Sequence, residues 1–215
     1  MSVFLKLVTG LGDAALLLPA AAALLLYLAR ARAWRAAAAW IAALALCAIL
    51  TAAAKMTFHA CGAQLPALDI RSPSGHTSLS TAFYGCGALM LSADRSWSRR
   101  LGALLGAAIL AVAVAASRVA LRAHSVEEVA AGFAIGLICV VCFAASYLPW
   151  GRGALGWRLP VMLVILLALF THGHHLGVEG LLHRLADRWQ LARHICPVDE
   201  DLALRTIGPS PLREP

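Results

Sequence analysis

Charge is scarce in this chain. Asp, Glu, Lys and Arg together make up 13% of its 215 residues, against roughly 25% in a soluble domain. That shortage excludes ordinary solvation by water. With hydrophobic residues at 61% and a mean hydropathy of +0.78, a lipid bilayer is the expected solvent. Repeats, charged low-complexity tracts and interdomain linkers are also missing, so the apolar runs read as one membrane domain at 1–183 followed by a polar tail at 184–215. A cleavable signal peptide is not expected, because Lys6 is the sole basic residue at the N-terminal end and the apolar run there continues as a span. The net charge of +7 could point to nucleic acid. The arginines, however, fall in short connectors between apolar runs, which is the pattern of membrane topology, and no nucleic-acid partner is expected.

A helix needs about 20 mostly apolar residues to cross a bilayer core. Such runs fall at roughly 3–29, 35–54, 76–92, 100–116, 128–149 and 157–176, which predicts an all-α, polytopic bundle of about six transmembrane helices. The first run contains Lys6, Asp13 and Pro19 and is the least regular; if it is interfacial, five spans remain. Alanine-rich stretches near 20–24, 36–39 and 42–54 suit close helix packing, since small residues let backbones approach. Arg30, Arg32 and Arg35, then Arg95, Arg99 and Arg100, then Arg152 and Arg158 occupy alternate connectors. All three connectors therefore share one side, and basic short loops mark that side as cytoplasmic. Connectors 55–75 and 117–127 are expected on the outer face with both termini, where Arg71, Arg118 and Arg122 need another explanation.

Those two outer connectors hold the chemistry. One carries Lys55, His59, Asp69 and "RSPSGHTSLS" at 71–80; the other is "SRVALRAHSVEEVAAG" at 117–132. Ionisable groups near hydrocarbon are costly and mark functional sites by default. Lysine, arginines and two histidines at one membrane surface suit an anion, above all a phosphate. Gly75 permits close backbone approach to the unpaired N–H groups that begin a helix, where an anion can rest. His76 stands at that helix start, placed to give or take a proton. His124 and Glu128 are four apart and share a helical face. A carboxylate there can fix the histidine tautomer and stabilise the imidazolium, leaving the other ring nitrogen as a nucleophile. Arg118 offers a planar fork to phosphoryl oxygens.

"PSGH" followed by the Ser-Arg, His and acidic spacing of "SRVALRAHSVEEVAAG" resembles the second and third motifs of the type 2 phosphatidic acid phosphatase superfamily, which also includes vanadium haloperoxidases and bacterial acid phosphatases. The resemblance covers 55 to about 136. It implies that His124 attacks phosphorus to give a phosphohistidine, that Glu128 orients it, and that His76 protonates the leaving group. Lys55, Ser74, Gly75 and Arg118 would hold the phosphoryl oxygens, with no metal or cofactor required. The expected partners are membrane lipids and a lipid phosphate or pyrophosphate, such as phosphatidate, phosphatidylglycerophosphate, a polyprenyl pyrophosphate or a lipid A phosphate.

Two departures stand out. The third motif of that family ends in Asp where this chain has Glu128. Its first motif runs Lys, six residues, Arg-Pro, and here Lys55 is followed by Gly62-Ala63. Arg71 or Arg122 could supply the missing cation, and Arg71 is favoured because it precedes the phosphate loop. A phosphotransferase using the same intermediate, or a degenerate lipid-phosphate binder, remain alternatives; a transporter is disfavoured by the scarcity of charge in mid-span, and a haloperoxidase by the spans themselves. His172, His174, His175 and His183 form a histidine-rich tract, but no structural zinc spacing accompanies it, and an interfacial helix start is the preferred reading. Cys47, Cys86, Cys139 and Cys142 should act as small hydrophobes within spans. Cys61 and Cys196 lie on the outer side, where a disulfide could form.

Overall fold

The computed structural model describes residues 2–61, 72–148, 156 and 158–170. Seven helices run through them: α1 (Ser2–Gly10), α2 (Ala14–Arg30), α3 (Trp34–Cys61), α4 (Gly75–Ser92), α5 (Trp97–Ala120), α6 (Val126–Tyr147) and α7 (Arg158–Phe170). In hydrocarbon every backbone polar group must be satisfied internally, and helices do this segment by segment. Among the described residues, four stretches are long and apolar enough to cross a membrane: Val3–Arg30, Trp34–Phe58, Trp97–Ala120 and Val126–Tyr147. The protein is an all-α membrane helix bundle.

The Ser- and Thr-rich α4 lies between α3, α5 and α6, with Thr77, Ser78, Ser80 and Thr81 all buried. Its hydroxyls are satisfied without water. Thr81 and Ser80 donate to the Thr77 carbonyl at 2.7 and 3.2 Å, and Ser78 bonds Thr51 of α3 at 2.9 Å. Hydroxyls bonded back to their own helix avoid the penalty of unpaired polar groups in an apolar interior. Below them the core is aromatic: Trp40 meets Phe83 edge to face at 5.2 Å, and Phe143 stacks on Tyr147 at 5.1 Å. The Trp40 indole N–H donates to the Ala21 carbonyl at 3.3 Å. Ile41, Ile49, Ile109, Ile138 and Val141 point outward, an apolar exterior that suits lipid and would be a liability in water.

Several boundaries differ from the run-length reading. The first apolar run is interrupted at Leu11-Gly12-Asp13, because Asp13 caps α2 by accepting the Ala15 N–H at 2.8 Å. Helix α3 continues to Cys61, so Lys55 lies inside a helix rather than at the end of one. Helices α5 and α6 extend to Ala120 and back to Val126, leaving only 121–125 as their connector. Cys47, Cys86 and Cys139 are buried as expected, whereas Cys142 is exposed on the outer surface of α6. Arg71, Asp69, Gly62-Ala63, the histidine tract, Cys196 and the tail at 184–215 lie outside the described residues, as do the side chains of His59 and Cys61.

Candidate functional site at one end of the bundle

The site is organised by Glu128, which is buried in the first turn of α6. Its Oε2 lies 2.6 Å from His124 Nδ1. The same oxygen accepts the Ser125 N–H at 3.3 Å, while the Ser125 hydroxyl accepts the Glu128 N–H at 3.3 Å, a reciprocal capping box. Its Oε1 accepts the Ser72 N–H at 2.8 Å, and its backbone carbonyl accepts the Ser74 N–H at 3.0 Å. One side chain thus ties the histidine, the start of α6 and the turn before α4 together. A Ser-x-x-Glu pattern at 125–128 is a sequence signal for this helix start, and it places the start two residues earlier than the apolar run alone does.

One turn further along α6, Gly132 lets the 72–74 segment lie flat on the helix. A Cβ there would stand 2.5 Å from the Ser74 carbonyl oxygen. Ser74 is fully buried as the N-cap of α4, and its side chain caps no helix N–H; instead its Oγ accepts from Thr77 at 3.1 Å. The first N–H groups of α4 are therefore not covered by a side-chain cap, the condition for anion binding at a helix start. Lys55 is buried next to them, its Cε 3.6 Å from the position a Cβ on Gly75 would take. The long α3 makes this possible by carrying Lys55 past Thr51 to the level of the loop.

His76 and Arg118 face the turn between α1 and α2. His76 Nε2 is 3.4 Å from Asp13 Oδ2, and Arg118 Nη1 donates to Thr9 Oγ1 at 3.4 Å. Neither Asp13 nor Thr9 was among the candidates read from sequence; both are buried polar residues in an apolar run, and that incongruity is the only sequence signal for them. Arg122 is exposed at the C-terminal turn of α5 with φ 54°. A separate apolar cavity of about 330 Å³ opens between α2, α4 and α7, lined by residues such as Leu24, Trp40, Tyr84 and Val164. None of the candidate residues among the described ones lines it.

Comparison with known proteins agrees with the resemblance read from the motifs. The PAP2 superfamily model matches residues 57–152, which takes in "PSGH", Arg118, His124 and Glu128 and begins just after Lys55. An uncharacterized 22.5 kDa protein in the cps region of Klebsiella pneumoniae is 35% identical over 174 residues, covering 74% of this chain and 81% of its own length. No solved structure matches. On the family match, and on a relative of this identity and coverage, the chain belongs to the PAP2 superfamily.

Proposed function

We propose that this protein is a multi-pass lipid phosphate phosphatase of a bacterial inner membrane, working at the periplasmic face through a phosphohistidine. Superfamily membership supports phosphatase-type chemistry, and the apolar exterior supports a lipid-tethered phosphomonoester or pyrophosphate as substrate. The observation that carries the reading is the 2.6 Å contact of Glu128 with His124 Nδ1, made by a carboxylate that also bonds the turn before α4. With Nδ1 engaged, Nε2 is the ring nitrogen left for phosphorus.

In the first step Nε2 of His124 forms a bond to phosphorus while the bond to the leaving oxygen breaks, and His76 gives that oxygen its proton. In the second, water attacks phosphorus, the N–P bond breaks, inorganic phosphate leaves and His76 recovers a proton. Lys55, Arg118, the Ser74-Gly75 backbone and, from outside the described residues, Arg71 neutralise charge on the phosphoryl oxygens. The periplasmic placement rests on the arginine-bearing connectors falling at the opposite end of the bundle.

Purified protein in detergent should release phosphate from lipid phosphates and be inhibited by vanadate. Conversion of His124→Ala should abolish release and the acid-labile phosphoenzyme while leaving the melting transition intact. Release by the alanine variant at a substantial fraction of the wild-type rate would overturn the assignment.

A further inference from the structure

We infer that Asp13, at the turn between α1 and α2, is a positioning residue for His76 and so completes a second histidine–carboxylate pair in the site. The inference rests on the phosphatase reading above. Asp13 is 4% exposed, and a carboxylate at that depth in an apolar bundle is costly unless a partner compensates it. Its Oδ1 caps α2 through the Ala15 N–H at 2.8 Å. Capping alone does not call for a charge, because Asn or Ser caps a helix about as well. The second oxygen, Oδ2, is directed at His76 Nε2 across 3.4 Å. That separation suits an ion pair that tightens when substrate arrives.

The turn is held against the site by three further contacts. Gly12 is pressed so closely that an added Cβ would meet Val114 Cγ1 at 2.5 Å and the His76 carbonyl at 3.2 Å. The Tyr84 hydroxyl donates to the Leu11 carbonyl at 2.7 Å, and Arg118 donates to Thr9 at 3.4 Å. Asp13 therefore cannot drift away from His76 without breaking contacts to α4 and α5. The His76 side chain is 25% exposed and that of Asp13 6% exposed, so the carboxylate is the buried member of the pair and the imidazole the more accessible one. With Nε2 on the carboxylate, Nδ1–H is the group that delivers a proton to the departing oxygen as the P–O bond breaks. Asp13 stays ionised throughout and stabilises the imidazolium before transfer.

The test uses leaving-group dependence, because a proton donor matters for an alkoxide and little for a stabilised phenolate. Asp13→Asn and Asp13→Ser both keep a helix cap and remove the charge; Asp13→Glu keeps the charge. For phosphatidate in detergent micelles, kcat/KM of the Asn and Ser variants should fall by about 10²-fold. For p-nitrophenyl phosphate it should change by no more than a few-fold, and Asp13→Glu should recover part of the phosphatidate rate. An equal loss on both substrates, no loss on either, or failure of both capped variants to fold would overturn the proposal by making Asp13 structural or idle. The phosphatase reading fails separately, if wild-type protein releases phosphate from neither substrate or if His124→Ala remains active.

Discussion

Glu128 shows how one side chain can serve two helices. The motif that this chain resembles has Asp at this position, one methylene shorter. Glu128 meets His124 Nδ1 and the Ser125 N–H with Oε2, and reaches the Ser72 N–H with Oε1. A Glu128→Gln change preserves size and the capping box, since Gln also serves at that position, but removes the charge facing the imidazole. Phosphate release should drop by up to about 10⁴-fold, as when the carboxylate of a catalytic triad is neutralised, while the melting temperature of the purified protein moves little. A comparable loss of stability and activity together would make Glu128 a scaffold residue only. Gly132 tests the same junction from the steric side. Gly132→Ala places a methyl against the Ser74 carbonyl, and overpacking of this kind typically costs about 1–3 kcal/mol. Thermal melting in detergent should show the loss, accompanied by reduced turnover because the 72–74 segment is pushed off α6.

At the scale of elements, the helix ends carry unusual backbone. Helix α2 closes with Arg32 at φ 53°, its N–H on the Ala29 carbonyl and the Ala33 N–H on Leu28. Helix α5 closes the same way at Arg122, with Ala123 bonded to Arg118 and Arg122 to Val119. Both are Schellman ends, in which glycine is the usual occupant of the left-handed position. An L-residue there costs roughly 1–2 kcal/mol, partly offset because glycine adds about 0.4–1 kcal/mol of unfolded-state entropy. Arg32→Gly should therefore stabilise by up to about 1 kcal/mol, read as a melting temperature raised by ~2 °C. A fall in melting temperature would mean that the arginine makes a compensating interaction. Local pattern made much of this scale legible. The four-residue spacing of His124 and Glu128 pointed to a pair on one helical face; the pair forms, but His124 stands in the connector before α6 and Glu128 reaches back to it from the first helical turn. The contacts that were missed are long-range or hidden: the break at Gly12-Asp13 falls inside an apolar run, and α3 passes Lys55 because Met56-Thr57-Phe58 continue a helix even where the run ends. Asp13 meets His76 only through the packing of the α1–α2 turn on α4 and α5, which spacing along the chain cannot disclose.

For the molecule as a whole, the direction of the bundle decides which compartment supplies substrate and receives phosphate. Helices α3 and α4 meet at the Lys55 and Ser74 end, and α5 and α6 at the His124 end; the Glu128 bonds to Ser72 and Ser74 make these the same end. The arginine-bearing turns after α2 and α4 fall at the other, where the Tyr27 hydroxyl donates to the Gly156 carbonyl at 3.2 Å. Basic residues in short loops resist translocation, so that end should stay in the cytoplasm and the histidines should face outward. Two exposed positions report on this directly: Ala123, in the turn beside His124, and Ser96, in the turn before α5. Each is replaced by cysteine in a background whose native cysteines are removed. In intact spheroplasts a membrane-impermeant maleimide should label Ala123→Cys and leave Ser96→Cys unmodified until the membrane is opened with detergent. The reverse pattern would put the phosphate site in the cytoplasm, and the arginines of the opposite end would then have to be explained by something other than topology.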